Sequence, residues 1–148
     1  IKGVFDLLEM KAKKRNVSLF FKQHYDYPIL VIGDVERIEQ VLTNLIVNSI
    51  KYGKMNGTTI ISVENLKNHK ILVKVIDNGE GIKTEHLPRL FERFYRVDQS
   101  RSREQGGSGL GLSIVKHIVE AHNEQIFVKS KFHEGSEFSF TLEKAEQI

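Results

Sequence analysis

Strand-patterned segments in this chain come in pairs, with helical segments between one pair and the next, and that order constrains the fold more than any other feature. Val17-Ser18-Leu19-Phe20-Phe21 alternates and Ile29-Leu30-Val31-Ile32 is a short apolar run, which predicts two short strands. Thr58–Glu64 and Lys70–Ile76 read as a hairpin across the polar stretch Asn65–His69, and Gln125–Ser130 with Glu137–Glu143 as a further pair. In the last strand Phe138, Phe140 and Leu142 alternate with Glu137, Ser139, Thr141 and Glu143, so one face packs and the other meets water. A doubly wound parallel sheet needs single strands alternating with helices. Pairs predict instead a mixed, mostly antiparallel sheet with helices on one face.

Gly33-Asp34 predicts a turn with Asp34 as the N-cap of a helix reaching about Tyr52, where Gly53 stops it; Ile38, Val41, Leu42, Leu45 and Ile46 keep helical spacing. Leu112, Ile114, Val115, Ile118 and Val119 mark a second long helix from Leu110 to about His122, and a short one is expected near Thr84–Leu90. Val4–Met10 is patterned as the last turns of an amphipathic helix, and the basic cluster Lys11–Arg15 after it suits a helix C-terminus. With isoleucine at position 1, the expectation is a piece of a longer protein whose first helix begins outside it, where targeting or anchoring signals would also lie.

Composition narrows function by exclusion. The 148 residues suit one domain, and 40% apolar against 28% charged residues describes a chain that folds. No cysteine is present, which removes disulfides, thiolate metal sites and thiol nucleophiles. No apolar stretch approaches the roughly 18 residues of a membrane span. A net charge of +3 is too mild to imply nucleic acid.

Three stretches carry chemistry. At about 100° per residue, Asn44, Asn48 and Lys51 fall within an arc of about 60° beside the buried face of their helix. Asparagine is a poor helix-interior residue; its carboxamide oxygen can ligate Mg²⁺ and Lys51 can reach a phosphate, although a merely polar helix flank has the same pattern. Asp77-Asn78-Gly79-Glu80-Gly81-Ile82 ends an apolar strand with a carboxylate at the sheet's rim, an acceptor suited to an exocyclic amine such as that of adenine. Its glycines allow a flat ligand to lie without meeting a Cβ, and turn geometry alone also accounts for them. Gly106-Gly107-Ser108-Gly109-Leu110-Gly111-Leu112 leads into the second long helix and exposes N–H groups at its N-terminus, a natural phosphate cradle. It lacks the preceding strand of a dinucleotide fingerprint and the Gly-Lys-Ser/Thr ending of a P-loop. Five of the seven arginines, Arg89, Arg93, Arg96, Arg101 and Arg103, lie just ahead of it, which suits a lid over a polyphosphate or a solvated loop.

In order, Asn44-Leu45-Ile46-Val47-Asn48-Ser49-Ile50-Lys51-Tyr52, Asp77-Asn78-Gly79-Glu80-Gly81, Phe91-Glu92-Arg93-Phe94-Tyr95-Arg96, Gly107-Ser108-Gly109-Leu110-Gly111-Leu112 and Glu134-Gly135-Ser136 closely resemble the N, G1, F, G2 and G3 boxes of sensor histidine kinases. The resemblance covers the chain from about Val17. It implies the Bergerat ATP-binding fold shared with gyrase, Hsp90 and MutL: α+β, a two-layer α/β sandwich with a mixed, mostly antiparallel sheet of about five strands covered on one face by about three helices. It also implies Mg-ATP as ligand, with Asn48 on Mg²⁺, Asn44 and Lys51 near the phosphates, and Tyr52 against the adenine–ribose region. Asp77 would bind the adenine amine, Gly79 and Gly81 would give the base room, and Ser136 would sit behind it. Arg96 would meet the γ-phosphate, Gly107, Gly109, Leu110 and Gly111 would form the phosphate cradle, and Phe91 and Phe94 would anchor the lid. Catalysis would rest on Asn44, Lys51 and Arg96 together with the metal.

Hydrolysing relatives in this superfamily, and its serine-directed kinases, typically place a general-base glutamate four residues before the Mg²⁺-binding asparagine; here Asn44 stands there. Water or serine must lose a proton to attack, whereas neutral imidazole is already a nucleophile near pH 7, so Asn44 suits transfer to a histidine. Asn123-Glu124 replace the glycine pair that often follows the histidine closing the second long helix, and Asn123 tolerates the left-handed geometry of a slightly different cap. None of His24, His69, His86, His117, His122 or His133 fits the family's acceptor motif. The resemblance thus implies residues 1–15 as the tail of a dimerisation/phosphoacceptor helical hairpin and residues 16–148 as the catalytic domain. Its partners would be that hairpin and the receiver domain of a response regulator, with no nucleic acid. This piece alone would be a cytoplasmic monomer and its parent a homodimer, with any anchor in the bacterial inner membrane lying in other segments. The rival readings are an ATP-hydrolysing conformational switch of the gyrase or chaperone type, a nucleotide-binding module without transfer activity, and a nucleic-acid-binding domain.

Overall fold

The strands and helices form in the expected order. A computed structural model describes residues 1–14, 16–23, 29–54, 56–93, 95 and 111–145. They build α1 (Lys2–Lys14), β1 (Ser18–Phe21), β2 (Val31–Ile32), α2 (Val35–Tyr52), β3 (Thr58–Asn65), β4 (Lys70–Asp77), a short 3-10 helix (Thr84–Arg89), α3 (Gly111–Ala121), β5 (Ile126–Lys131) and β6 (Gly135–Lys144). Asp34 starts α2 as its chemistry requires, its carboxylate accepting the Arg37 N–H at 3.1 Å. At the other end the Gly53 N–H closes on the Ser49 carbonyl at 2.8 Å, where a Cβ would meet that oxygen at 2.5 Å. α3 ends in the left-handed turn expected of Asn123, which has a φ of 58° and, with Glu124, reaches back to the carbonyls of Glu120 and Val119. Glu124 is buried and turns its carboxylate onto the Lys70 ammonium at 2.7 Å and the Thr141 hydroxyl at 2.9 Å.

The sheet runs β1-β3-β4-β6, with β2 and β5 along the far side of β6. β3–β4 and β5–β6 are the expected antiparallel hairpins, and β4 and β6 join them antiparallel. The first two strands depart from the pairing pattern. β1 lies parallel to β3, with Phe20 beside Ile60, while β2 pairs Val31 with Lys144. The helices explain the split. β2 passes directly into the start of α2, where the Asp34 N–H donates to His122 Nε2 at 3.1 Å just beyond α3. β1 instead leaves α1 through Val17, bonded to the Ala12 carbonyl, and its Ser18 N–H donates to Gly57, one residue ahead of β3. With the two-residue β2 included, the described residues form six strands where about five were expected.

Alternation divides the sheet into two faces. Ile61, Val73, Val75, Phe138, Phe140 and Leu142 point toward the helices and bury against Leu45, Ile46, Val115 and Ile118. Val4, Leu8 and Ala12 of α1 join that core, so a helix expected as the tail of another domain contributes to the interior of this one. Among the described residues no helix is long and apolar enough to cross a membrane.

Candidate functional site

Strand register sets four polar residues side by side at one end of the sheet. Thr59 pairs with Asp77, Asp77 with Ser136, and Ser136 with Ser130. Residues paired in this way share a face, and the row faces the helices, because Ser49 of α2 and Thr59 are hydrogen-bonded at 2.6 Å. Thr59 and Ser136 are buried and Asp77 is half-buried. The Asp77 carboxylate accepts the N–H of Gly79 at 2.9 Å and that of Ser136. Burial pushes its pKa above the usual carboxylate value, and the two backbone donors pull it back in part.

The loop after Asp77 is wedged between α2 and the β5–β6 hairpin. A Cβ on Gly79 would meet Gly53 Cα at 2.6 Å and the Tyr52 carbonyl oxygen at 3.0 Å. Gly81 has a φ of 77°, and a Cβ there would meet the Lys131 carbonyl oxygen at 2.2 Å. The expectation gave these glycines the task of making room for a flat ligand. Their bare Cα atoms also let the loop press against Tyr52 and Gly53 on one side and Lys131 on the other. Asn78 Oδ1 accepts the Thr58 N–H at 2.8 Å, and the Ile82 N–H donates to Ser130 Oγ at 2.7 Å.

On α2, Asn44, Asn48, Lys51 and Tyr52 are half-buried along the last three turns. Asn44 Nδ2 donates to the Gly111 carbonyl at 3.3 Å, so the polar flank of α2 touches the first turn of α3. Gly111 is exposed, and among the described residues nothing lies within 4 Å of where its Cβ would stand. The α2 flank and the α3 N-terminus offer amides, an ammonium and a helix end to an anion, while the Asp77 row offers acceptors to a base's amino group. Among the described residues no group of three or more His, Cys, Asp or Glu could hold a metal ion, and Asn48 brings to the same flank a carboxamide, whose oxygen is of the hard type that can ligate Mg²⁺.

The structure therefore joins Asn44 to Gly111, Tyr52 to Gly79, and Asp77 to Gly79 and Ser136, with Asn48 and Lys51 on the same helix flank. Arg96, Gly107, Gly109 and Leu110 lie outside the described residues, as do Phe94, Arg101 and Arg103. Phe91 packs edge-on against Phe138 at 6.3 Å between ring centres. Arg89, grouped by sequence with the lid arginines, is engaged elsewhere: it bonds Glu92 at 2.9 Å and lies 4.6 Å over the ring of Tyr95, whose hydroxyl is bonded to His86. Sequence reasoning passed over Ser49, Thr59 and Ser130. The signal for each was a hydroxyl at an inward position of an otherwise apolar stripe, as Ser130 is after Ile126 and Val128.

Residues 33–146 match the family described as histidine kinase-, DNA gyrase B-, and HSP90-like ATPase. Over 119 residues the chain is 44% identical to the sensor histidine kinase YkoH of Bacillus subtilis (strain 168), covering 80% of this chain and 25% of that protein. It superposes with a TM-score of 0.80 and 32% identity on the catalytic domain of histidine kinase ThkA, over 97% of this chain and 89% of that one. It also superposes on histidine kinase ThkA in complex with response regulator protein TrrA, with a TM-score of 0.77 and 29% identity over 97% of this chain and 39% of that one. The chain spans about a quarter of the length of the curated relatives it matches. It belongs to the histidine kinase-, DNA gyrase B- and HSP90-like ATPase family, as an ATP-binding catalytic domain of the sensor histidine kinase type.

Proposed function

We propose that this chain binds Mg-ATP and transfers the γ-phosphoryl group to a histidine on a dimerisation/phosphoacceptor helical hairpin, starting a phosphorelay to the receiver domain of a response regulator. The observation that carries the reading is Asn44. It stands one turn before Asn48, where hydrolysis in this superfamily uses a carboxylate, and its amide nitrogen is held on the Gly111 carbonyl. A carboxamide does not take a proton from water or a hydroxyl. Neutral imidazole needs no base: its nitrogen forms the new P–N bond while the P–O bond to the β-phosphate breaks and its electron pair leaves with ADP.

In this reading Asp77 accepts the adenine amine, Tyr52 packs against adenine and ribose, Gly79 and Gly81 shape the loop beside the base, and Ser136 stands behind it. Asn48 would hold Mg²⁺, which supplies charge neutralisation at the phosphates when bound. Lys51 and Asn44 lie along the phosphates, Gly111 presents backbone donors with Gly107, Gly109 and Leu110 ahead of it, and Arg96 meets the γ-phosphate. Positioning and electrostatics then supply the catalysis. α1, within residues 1–15, would carry the chain from the acceptor hairpin into the catalytic domain of residues 16–148, on the cytoplasmic side of a homodimeric parent. The ThkA–TrrA complex supports a response regulator as the onward partner.

The test is to mix the chain with ATP radiolabelled at the γ-phosphate, Mg²⁺ and the hairpin of its parent. An acid-labile, base-stable label on the hairpin is the expected result. Free phosphate accumulating with no label on the hairpin would sink the reading in favour of a hydrolytic switch.

A further inference from the structure

Ser130 belongs to none of the motifs above, yet its hydroxyl joins three parts of the site. It accepts the Ile82 N–H at 2.7 Å, lies 3.0 Å from the Gly135 carbonyl oxygen and lies 2.8 Å from Ser136 Oγ. A hydroxyl has one proton to give and two lone pairs to receive with. The Gly135 carbonyl can only accept, so the Ser130 proton goes to it; any other placement leaves two oxygens 3.0 Å apart with no hydrogen between them. The contact with Ser136 is then a hydrogen bond only when Ser136 is the donor. One assignment satisfies all three contacts, and it fixes the Ser136 proton on Ser130. Ser136 Oγ is left as an acceptor.

Ser136 is the register partner of Asp77, is buried on the same face, and gives its backbone N–H to the Asp77 carboxylate. With Asp77 as the adenine acceptor proposed above, we infer that Ser130 is a positioning residue for base selection: by receiving the Ser136 proton it makes Asp77 and Ser136 neighbouring acceptors, which favour a purine with an amino group at its six-position over one with a carbonyl there. An exocyclic amine brings two N–H donors to such a pair. A six-oxo purine brings a carbonyl oxygen against lone pairs that cannot turn into a donor, and opposed buried acceptors penalise binding more than a missing contact does. Removing the Ser130 hydroxyl frees the Ser136 proton, and Ser136 can then donate to a six-oxo group.

Ser130 also anchors Ile82, so the experiment must separate the proton from the loop. Affinities of the adenosine and inosine β,γ-imidotriphosphates with Mg²⁺ are measured by calorimetry on the full chain. The wild-type chain prefers the adenosine ligand, and Ser130→Ala narrows that preference by about tenfold, the effect of removing one hydrogen-bond mismatch. Ser136→Ala keeps the Ser130 bonds to Ile82 and Gly135 and also narrows the preference, and adding Ser130→Ala to it narrows the ratio no further. Equal weakening of both ligands in Ser130→Ala, or an undiminished effect on the ratio in the Ser136→Ala background, overturns the proposal and leaves Ser130 a brace for the loop. Should Ser130→Ala not fold, an unchanged ratio in Ser136→Ala overturns it alone. A wild-type chain that binds neither ligand, or binds both alike, overturns the adenine reading of Asp77 and the proposal with it.

Discussion

Ser49 on α2 and Thr59 on β3 share a hydrogen bond of 2.6 Å inside the protein, 4% and 0% exposed, in the row that continues to Asp77. Each hydroxyl has the other as its partner away from water. Ser49→Ala alone leaves Thr59 unsatisfied and costs about 1–3 kcal/mol, whereas Ser49→Ala with Thr59→Val replaces both polar groups and is close to neutral. Urea denaturation of the two single variants and the double variant measures this; a double variant as unstable as the sum of the singles would contradict it.

Asp77→Asn separates binding from stability. Loss of the charged acceptor lowers nucleotide affinity by about 10- to 100-fold, the range of a hydrogen bond to a charged group. Stability moves the other way. Because burial raises the Asp77 pKa, the native state holds that proton more tightly than the unfolded state does, so stability falls as pH rises from the unfolded value through the folded one. Asparagine carries no such penalty. Thermal melts without nucleotide, from acid to neutral pH, should show the variant gaining on wild type as pH rises; an asparagine variant that loses ground instead would contradict burial as the cause.

Asn48→Ala tests the metal assignment. Affinity for the nucleotide falls by about tenfold in the presence of Mg²⁺, on the scale of one lost polar contact to a charged group, and is unchanged when the metal is chelated. An equal loss in both conditions would place the metal elsewhere.

Two glycines of the site differ in what surrounds them. Gly79→Ala drives a Cβ to 2.6 Å from Gly53 Cα, backbone against backbone, and costs about 1–3 kcal/mol as overpacking does. Gly111→Ala meets no atom of the described residues within 4 Å in the first turn of α3 and stabilises the fold by about 0.5 kcal/mol through helix propensity. Chemical denaturation ranks them, and the reverse order would contradict the packing of the loop against α2.

What the sequence reveals here depends on how local the cause is. The Asp34 cap, the β3–β4 and β5–β6 hairpins and the left-handed Asn123 were legible because cap, turn and alternation act within a few residues. The places of β1 and β2 were not, because α1 and α2 decide them through contacts distant in the chain. Around the candidate site, Asn44 and Asp77 stand out by residue chemistry, since a carboxamide inside a helix and a carboxylate ending an apolar strand are both unusual, and the structure adds their partners Gly111, Gly79 and Ser136. For Gly79 and Gly81 the sequence left turn geometry and room for a ligand open, and the close approach of Gly53, Tyr52 and Lys131 supplies a backbone reason that only the fold reveals. Ser130 was invisible, because its role depends on Ile82, 48 residues earlier, and on a proton count that needs all three partners in place.

β1 and β2 are neighbours in the chain yet close opposite edges of the sheet, one beside Thr58–Ile61 and the other beside Glu143 and Lys144. Loop-closure entropy opposes such distant pairings until the intervening chain is already ordered. The two hairpins can zip from nearby contacts and meet through β4 and β6, after which β1 and β2 close the two edges. The amides of these two short strands are the natural place for the described fold to fray first, on the side of the molecule away from the Asp77 row in the case of β2.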